Sequence, residues 1–191
     1  QGRRAEINRA VLSTLFGTRV VQFNEAHVNL PVLMEHEGEV HLSATVLRNA
    51  DRLSVTEIAQ AMRNAQQRKL ADLPIGRHFI KNENTLRCRL ELRLRHAAAY
   101  AVPQLYERFG GGISVSSLVR TAPEGVLLRT PPYGPTAVSL CPGVVRTDER
   151  GRTILFMSAG YDHYALLGAQ VVGALERLGE LLVHADPAVF G

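Results

Sequence analysis

The last third of the chain sets apolar strand patterns directly before a long amphipathic helix pattern. Short apolar runs over residues 137–140 and 153–159 predict two strands, with a turn at residues 148–151. Apolar residues then recur at helical spacing over residues 167–182. A helix with one apolar face must bury that face, and an adjacent sheet offers the surface. The sequence therefore predicts layers of sheet and helix, in an α/β or α+β arrangement.

The preceding part of the chain mixes the same two patterns. Residues 28–34 and 40–47 predict paired strands around a turn at Glu37 and Gly38. Ser54 followed three residues later by Glu57 forms a capping box, which predicts the start of a helix. That helix has one apolar face, and Pro74 and Gly76 should end it. The apolar face contains Ile58, Met62, Ala65 and Leu70.

Three further segments carry weaker signals. Apolar residues at helical spacing predict a helix over residues 7–16, and residues 20–23 resemble a short strand. Residues 86–109 alternate as a strand would, but their leucine, arginine and alanine content favours helix. After the glycines at 110–112, residues 113–118 alternate as a strand, and residues 123–135 read as a loop.

Length and charge narrow the class of protein. The 191 residues suit one domain spanning residues 1–191. The formal net charge is 22 − 18 = +4, without a long run of lysine and arginine, so we expect no nucleic-acid partner. A basic pocket for an anionic small ligand fits this charge equally well. No apolar run reaches the roughly 18 residues of a membrane span. We therefore expect a cytoplasmic protein without a membrane contact.

Two short motifs are poor matches to known sites. His36 and His41 lie five residues apart around Gly38, whereas a zinc-protease helix needs a spacing of four. The glycines at 110–112 precede a strand and lack a following Gly-Lys-Ser/Thr, so a tight turn is favoured over a phosphate loop. The two cysteines lie far apart, outside any metal-ligand spacing. We expect no metal site.

His163 lies where the last predicted strand gives way to the last predicted helix. A histidine at such a corner is well placed as a general base, because the element ends fix it while its ring reaches a cleft. The alternative is a buried histidine that is hydrogen-bonded to the backbone.

Three segments, in this order, resemble the catalytic domain of the dihydrolipoamide acyltransferases, the transferase components of 2-oxo acid dehydrogenase complexes. Residues 162–169 resemble the signature Asp-His-Arg-x-x-Asp-Gly-Ala that precedes the closing helix of that family. Residues 46–54 resemble Val-Ile-Arg-Asp-Ala-Asp-Arg-x-Ser, and residues 110–119 resemble Gly-Gly-Thr-Phe-Thr-Ile-Ser-Asn-Leu-Gly. The resemblance implies the fold of chloramphenicol acetyltransferase, an α/β two-layer sandwich with a mixed β-sheet flanked by helices.

The sequence departs from this family at two positions of the signature. Leu167 stands at the position of the family's aspartate, and Tyr164 at that of its arginine. Neither Lys69 nor Lys81 has the aspartate that usually precedes a lipoylated lysine, so we expect no lipoyl domain. We also expect no subunit-binding domain. These features disfavour a dehydrogenase-complex core. The chain more closely resembles small stand-alone relatives, including acetyltransferases of tetronate polyketide pathways in antibiotic biosynthesis.

The resemblance implies direct acyl transfer from acetyl-CoA, another acyl-CoA or an acyl carrier protein to a small-molecule hydroxyl, without an acyl-enzyme. His163 would be the general base, and Ser116, rather than its neighbour Ser117, would stabilise the oxyanion. In this family the site lies between subunits of a homotrimer, so the two residues would come from different chains. The alternative is a non-catalytic trimeric scaffold or carrier-binding relative, for which Leu167 is the best support.

Overall fold

The computed structural model describes residues 7–14, 17–36, 38–69, 85–117 and 135–184. Within these ranges the strands are β1 (Arg9–Thr14), β2 (Gly17–Gln22), β3 (Val28–His36), β4 (Glu39–Leu47), β5 (Ile113–Val115), β6 (Val138–Thr147) and β7 (Thr153–Tyr161). The α-helices are α1 (Val55–Gln66), α2 (Leu86–Ala101), α3 (Pro103–Phe109) and α4 (Gly168–Val183), and a 3-10 turn covers Ala50–Arg52.

The main sheet has five strands in the order β4-β3-β5-β6-β7. β5 runs parallel to both β3 and β6, whereas the outer pairs are antiparallel. β1 and β2 form a separate antiparallel pair, and Ala10 bridges to Thr136 just before β6. The mixed sheet flanked by helices confirms the predicted α/β class.

One face of the main sheet is covered by α1 and α4. Ala65 of α1 packs with Val32 and Met34 of β3, and Val171 of α4 packs with Val138 of β6. The register pairs Val28 with Ile113 and Ile113 with Val138, so these strands turn the same face to the two helices. Helix and sheet therefore form two layers.

A second cluster joins α2 and α3 to the β1–β2 pair. Its buried members are Ala10, Leu12, Phe23, Ala99 and Tyr106. The rings of Phe23 and Tyr106 stack with their centroids 6.0 Å apart. Burial raises the pKa of the Tyr106 hydroxyl, which keeps this group neutral in the core.

The β3–β4 hairpin, the α1 start, the β6–β7 pair and the α4 helix confirm the predictions. The Glu57 backbone N–H donates to Ser54 Oγ at 3.2 Å, and the Ser54 N–H donates to Glu57 Oε2 at 2.7 Å. These two bonds form the expected capping box. α1 ends at Gln66, with Gln67 as its C-cap, and residues 67–69 are not helical, so the prediction that this helix continues through Leu70 to Pro74 and Gly76 is wrong. Residues 70–76 themselves lie outside the described residues.

The prediction of a helix over residues 7–16 is wrong. Arg9–Thr14 is the strand β1, and Leu15 and Phe16 lie outside the described residues. Ala10 and Leu12 pack toward α2 and α3, whereas Val11 packs toward the cluster that contains α4. Because both faces of this strand are apolar, the alternation that would reveal a strand is hidden.

Residues 86–109 are helical, as favoured, but they form two helices. α2 ends at Ala101, and Pro103 begins α3 at a position where its missing N–H is harmless. β5 ends at Val115, three residues earlier than the predicted strand. The predicted loop over residues 123–135 lies outside the described residues except for Pro135.

Candidate active site

A tight turn connects β7 to α4 and carries His163. The Asp162 N–H donates to the Ala137 carbonyl at 3.0 Å, which fixes the start of the turn to the strand region before β6. The Asp162 carbonyl accepts the N–H groups of Ala165 and Leu166, and its side chain accepts the Tyr164 N–H at 2.8 Å. One aspartate therefore closes the turn with both its backbone and its carboxylate.

The turn alternates between the solvent and the core. His163 and Tyr164 are exposed at its apex, whereas Ala165 and Leu166 are buried in the cluster with α4. The buried pair anchors the loop, so the imidazole projects from a fixed backbone. The Tyr161 ring lies 4.6 Å from the His163 ring, centroid to centroid, at 57°. Within the described ranges, no residue hydrogen-bonds the His163 ring.

Two residues missed by the sequence reasoning support this turn. Arg9 of β1 donates from Nη1 to the Ala165 carbonyl at 2.7 Å, across 156 positions of sequence. Tyr161, two residues before His163, supports the ring and lies close to the start of α4. A Cβ on Gly168 would be 3.0 Å from the Tyr161 hydroxyl oxygen. The strand spacing to His163 could have identified Tyr161, whereas no local pattern identifies Arg9.

Leu167 occupies the N-cap of α4 and leaves half of a capping box unfilled. Its N–H donates to Gln170 Oε1 at 3.0 Å, but its own side chain has no atom that can accept a bond from the helix. The side chain is 70% exposed and contributes little to the core. The family resemblance places an aspartate at this position, and aspartate is among the preferred N-cap residues.

Ser116 directly follows β5, which is the central strand of the main sheet. Its N–H donates to the Leu140 carbonyl at 2.9 Å, so the pairing with β6 continues past the end of the strand. Ser116 is half-buried and Ser117 is exposed. Any site around Ser116 therefore lies at the end of the sheet where β5 terminates.

The register separates Ser116 from His163 within one chain. Val138 is paired with both Ile113 and Tyr161, so the end of β7 is level with the beginning of β5. Ser116 lies three residues after Ile113, just beyond the end of β5. The chain after Tyr161 continues in the opposite direction, toward His163. At ordinary strand spacings this is about 10 Å along the strands and about 10 Å across them. The two side chains cannot act on the same carbonyl within one protomer.

The glycines before β5 make a close-packed turn. Gly111 has φ +66°, and a Cβ there would lie 2.3 Å from the His27 carbonyl oxygen. A Cβ on Gly110 would meet the Tyr106 ring at 2.4 Å, and one on Gly112 would meet Asn8 Oδ1 at 2.3 Å. Close packing against Tyr106 of α3, His27 before β3 and Asn8 before β1 therefore accounts for the three glycines.

The other motifs considered in the sequence analysis give no second candidate site in the described residues. His36 and His41 lie on the paired strands β3 and β4. In the part of the chain that the structure describes, no three His, Cys, Asp or Glu side chains are grouped so that they could hold a metal ion. Among the helices in the described ranges, none has both the length and the apolar character needed to cross a bilayer.

The sequence matches no protein-family model and no curated protein sequence. Solved structures do match. A dihydrolipoamide acetyltransferase from Azotobacter vinelandii superposes with a TM-score of 0.54 at 18% identity, over 98% of this chain. The cubic core of a pyruvate dehydrogenase multienzyme complex superposes with a TM-score of 0.57 at 19% identity, over 98% of this chain. This chain has the fold of the dihydrolipoamide acetyltransferases.

The chain spans 64% of the length of each of these two structures. Their fold confirms the one expected from the resemblance of residues 46–54, 110–119 and 162–169. In the Azotobacter protein, a serine, a histidine and an asparagine have been investigated for their role in the catalytic mechanism.

Proposed function

We propose that this protein is an acyltransferase that moves an acyl group, acetyl in the simplest case, from a thioester to a hydroxyl of a small molecule. The position of His163 carries the proposal. Its ring is exposed on a turn that is anchored in the core, in a chain with the fold of acetyltransferases. The thioester donor is CoA or an acyl carrier protein. The family resemblance favours a tetronate or other polyketide intermediate as the acceptor.

His163 acts as the general base in this proposal. The neutral imidazole takes the proton from the acceptor hydroxyl as the oxygen attacks the thioester carbonyl carbon. The tetrahedral intermediate then collapses, the carbon–sulfur bond breaks, and the imidazolium returns its proton to the departing thiolate. The products are the acyl ester and a free thiol. General-base assistance of this kind contributes about 10²–10⁴-fold.

Ser116 supplies the oxyanion contact in the proposed site. Its hydroxyl donates a hydrogen bond to the carbonyl oxygen as negative charge develops there. A single donor of this type typically stabilises the transition state by about 2.7–4 kcal/mol. The serine among the residues investigated in the Azotobacter enzyme supports this assignment.

The proposed site is formed between two copies of the chain. Ser116 and His163 leave opposite ends of the sheet, so each must meet its counterpart on another copy. The cubic core among the matching structures belongs to a multienzyme complex, which supports assembly as a feature of this fold. A homotrimer is the assembly that the family resemblance implies.

Leu167 supports a second candidate function. The exposed leucine stands at the family's aspartate position, and the residues investigated in the Azotobacter enzyme include an asparagine. A leucine can neither accept nor donate a side-chain hydrogen bond at this corner. A trimeric scaffold that binds a carrier protein but has lost catalysis would tolerate this change.

Acetyl-CoA turnover distinguishes the two candidates. Free thiol is followed over time for the native protein, His163→Ala and the control His184→Ala, with a panel of hydroxylated acceptors. His184 is an exposed histidine at the end of α4, outside the turn. We expect turnover by the native protein and the control and its loss in His163→Ala. Turnover that survives in His163→Ala contradicts the assignment of the base. Absence of both turnover and CoA binding supports the scaffold.

A further inference from the structure

Helix α2 is apolar on two sides. Its inner side contributes the buried Ala99 to the cluster with β1. Its outer side carries an exposed row, which we call the α2 stripe. At about 100° per residue its members fall within an arc of about 80°. They are Leu86, Leu90, Leu94, Ala97 and Ala101.

The leucine side chains of the α2 stripe are largely exposed to solvent. Leu86 is 83% exposed, Leu90 56% and Leu94 62%. Three large apolar side chains in a row on one helix face form a continuous patch, and such patches mark interaction sites more often than single exposed leucines do.

Arginines border the α2 stripe on both sides. Arg87 lies along one side, and Arg89 and Arg93 lie along the other. Glu91 is the single acidic residue of α2, and it pairs with Arg95. The ion pair neutralises Glu91, so the borders of the stripe are positively charged.

We propose that the α2 stripe is a docking surface for an acidic amphipathic helix of a partner protein. Leucines of that helix would pack on Leu86, Leu90 and Leu94, and its Asp and Glu side chains would face Arg87 and Arg93. Charge complementarity of this kind selects the partner and speeds association. The small side chains at the Ala97 end allow the partner helix to approach closely there.

The charges also argue against other occupants. Two copies that met stripe to stripe would bring arginine borders against arginine borders, which costs free energy. A membrane surface would attract the arginines, but the stripe lacks the aromatic anchors typical of interfacial helices, and its second half offers alanines instead of bulky side chains. A partner helix uses all five positions.

Two synthetic peptides test the proposal with the full chain. Both are stapled 18-residue helices with the same leucine face; one has glutamates and the other lysines along its borders. Binding is followed by fluorescence anisotropy for the native chain, Leu90→Gln, and Arg87→Glu combined with Arg93→Glu. Leu181→Gln and Arg150→Glu, both exposed and outside α2, serve as controls. Circular dichroism verifies that each variant is folded.

We expect the glutamate peptide to bind the native chain and both controls, and the lysine peptide not to bind. Reversal of the two arginines should weaken binding by about tenfold or more. Leu90→Gln should weaken it by a similar factor. Equal binding of the two peptides, or no loss in either α2 variant, overturns the proposal. So does self-association that Leu90→Gln abolishes, or binding to phosphatidylserine vesicles without binding to the glutamate peptide.

Discussion

Leu167 is the residue at which this chain departs most clearly from the acetyltransferases it resembles. It caps α4 without a side-chain acceptor, and the Gln170 side chain alone satisfies its N–H. The backbone at Leu167 is extended, with φ −82° and ψ 144°, which is the ordinary conformation of an N-cap residue. The backbone therefore accepts an aspartate here without rearrangement.

We predict that Leu167→Asp stabilises the protein by about 1 kcal/mol, because the carboxylate caps α4 and lies at the positive end of the helix dipole. Leu167→Ala, the matched control, removes the exposed leucine without adding an acceptor and should change stability little. Urea unfolding monitored by circular dichroism measures both. A lower stability of Leu167→Asp would contradict the prediction and indicate that the leucine packs against another copy of the chain.

Individual residues also show how much of the candidate site can be predicted from the sequence. The position of His163 at the end of the last strand follows from local patterns, and the turn has the expected place. Arg9, which holds the same turn through the Ala165 carbonyl, is invisible in the sequence because only the folded chain brings β1 beside it. Every residue has a backbone carbonyl, so the sequence around Ala165 does not reveal that its carbonyl accepts this hydrogen bond.

At the scale of the element, α1 begins at a capping box whose strength depends on pH. Hydrogen bonds from the Ser54 backbone and hydroxyl hold the pKa of Glu57 below its ordinary value. A lowered pKa means that the carboxylate stabilises the fold at pH values above its ordinary pKa. This stabilisation is lost as the pH falls through the lowered pKa.

We predict that Ser54→Ala raises the pKa of Glu57 toward the ordinary value, since the hydroxyl bond is lost. NMR titration of the side-chain carboxyl carbons measures this shift. Asp148 is an internal control, because hydrogen bonds from Arg152 lower the pKa of its carboxyl independently of α1. An unchanged Glu57 pKa in Ser54→Ala would contradict the role of the capping box.

The glycine turn before β5 gives a second element-scale prediction. Gly111→Ala should destabilise the protein by at least about 2 kcal/mol, because alanine is strained at positive φ and its Cβ would collide with the His27 carbonyl. Gly173→Ala in α4 is the matched control, because a Cβ there meets nothing within 4 Å. It should stabilise the helix by about 0.5–1 kcal/mol. Thermal unfolding compares the two, and similar effects would refute the account of the turn.

Element prediction succeeds where one signal dominates and fails where two compete. α1 has a capping box, and α4 has a long one-sided apolar pattern, so both are predicted from the sequence. β1 packs two apolar faces against different helices, and its period of two disappears. α2 alternates leucine and arginine as a strand would, and its helical state follows from propensity alone.

For the whole molecule, the register of the central sheet decides how a site can form. β5 and β7 present Ser116 and His163 at opposite ends, so the proposed chemistry requires at least two copies of the chain. The sequence of one chain predicts each half of the site separately. In the proposed site the contact between the halves would form only in the assembly, and the family resemblance alone led to this proposal.

Mixing two inactive variants tests the shared site most directly. Ser116→Ala keeps His163, and His163→Ala keeps Ser116, so a mixed assembly contains interfaces at which both residues are intact. Random mixing in equal amounts makes about one site in four complete in a closed ring. After co-refolding, thiol release from acetyl-CoA should recover to about a quarter of the native rate, while each variant alone stays far below it. A mixture no more active than its separate variants would contradict a site formed between copies.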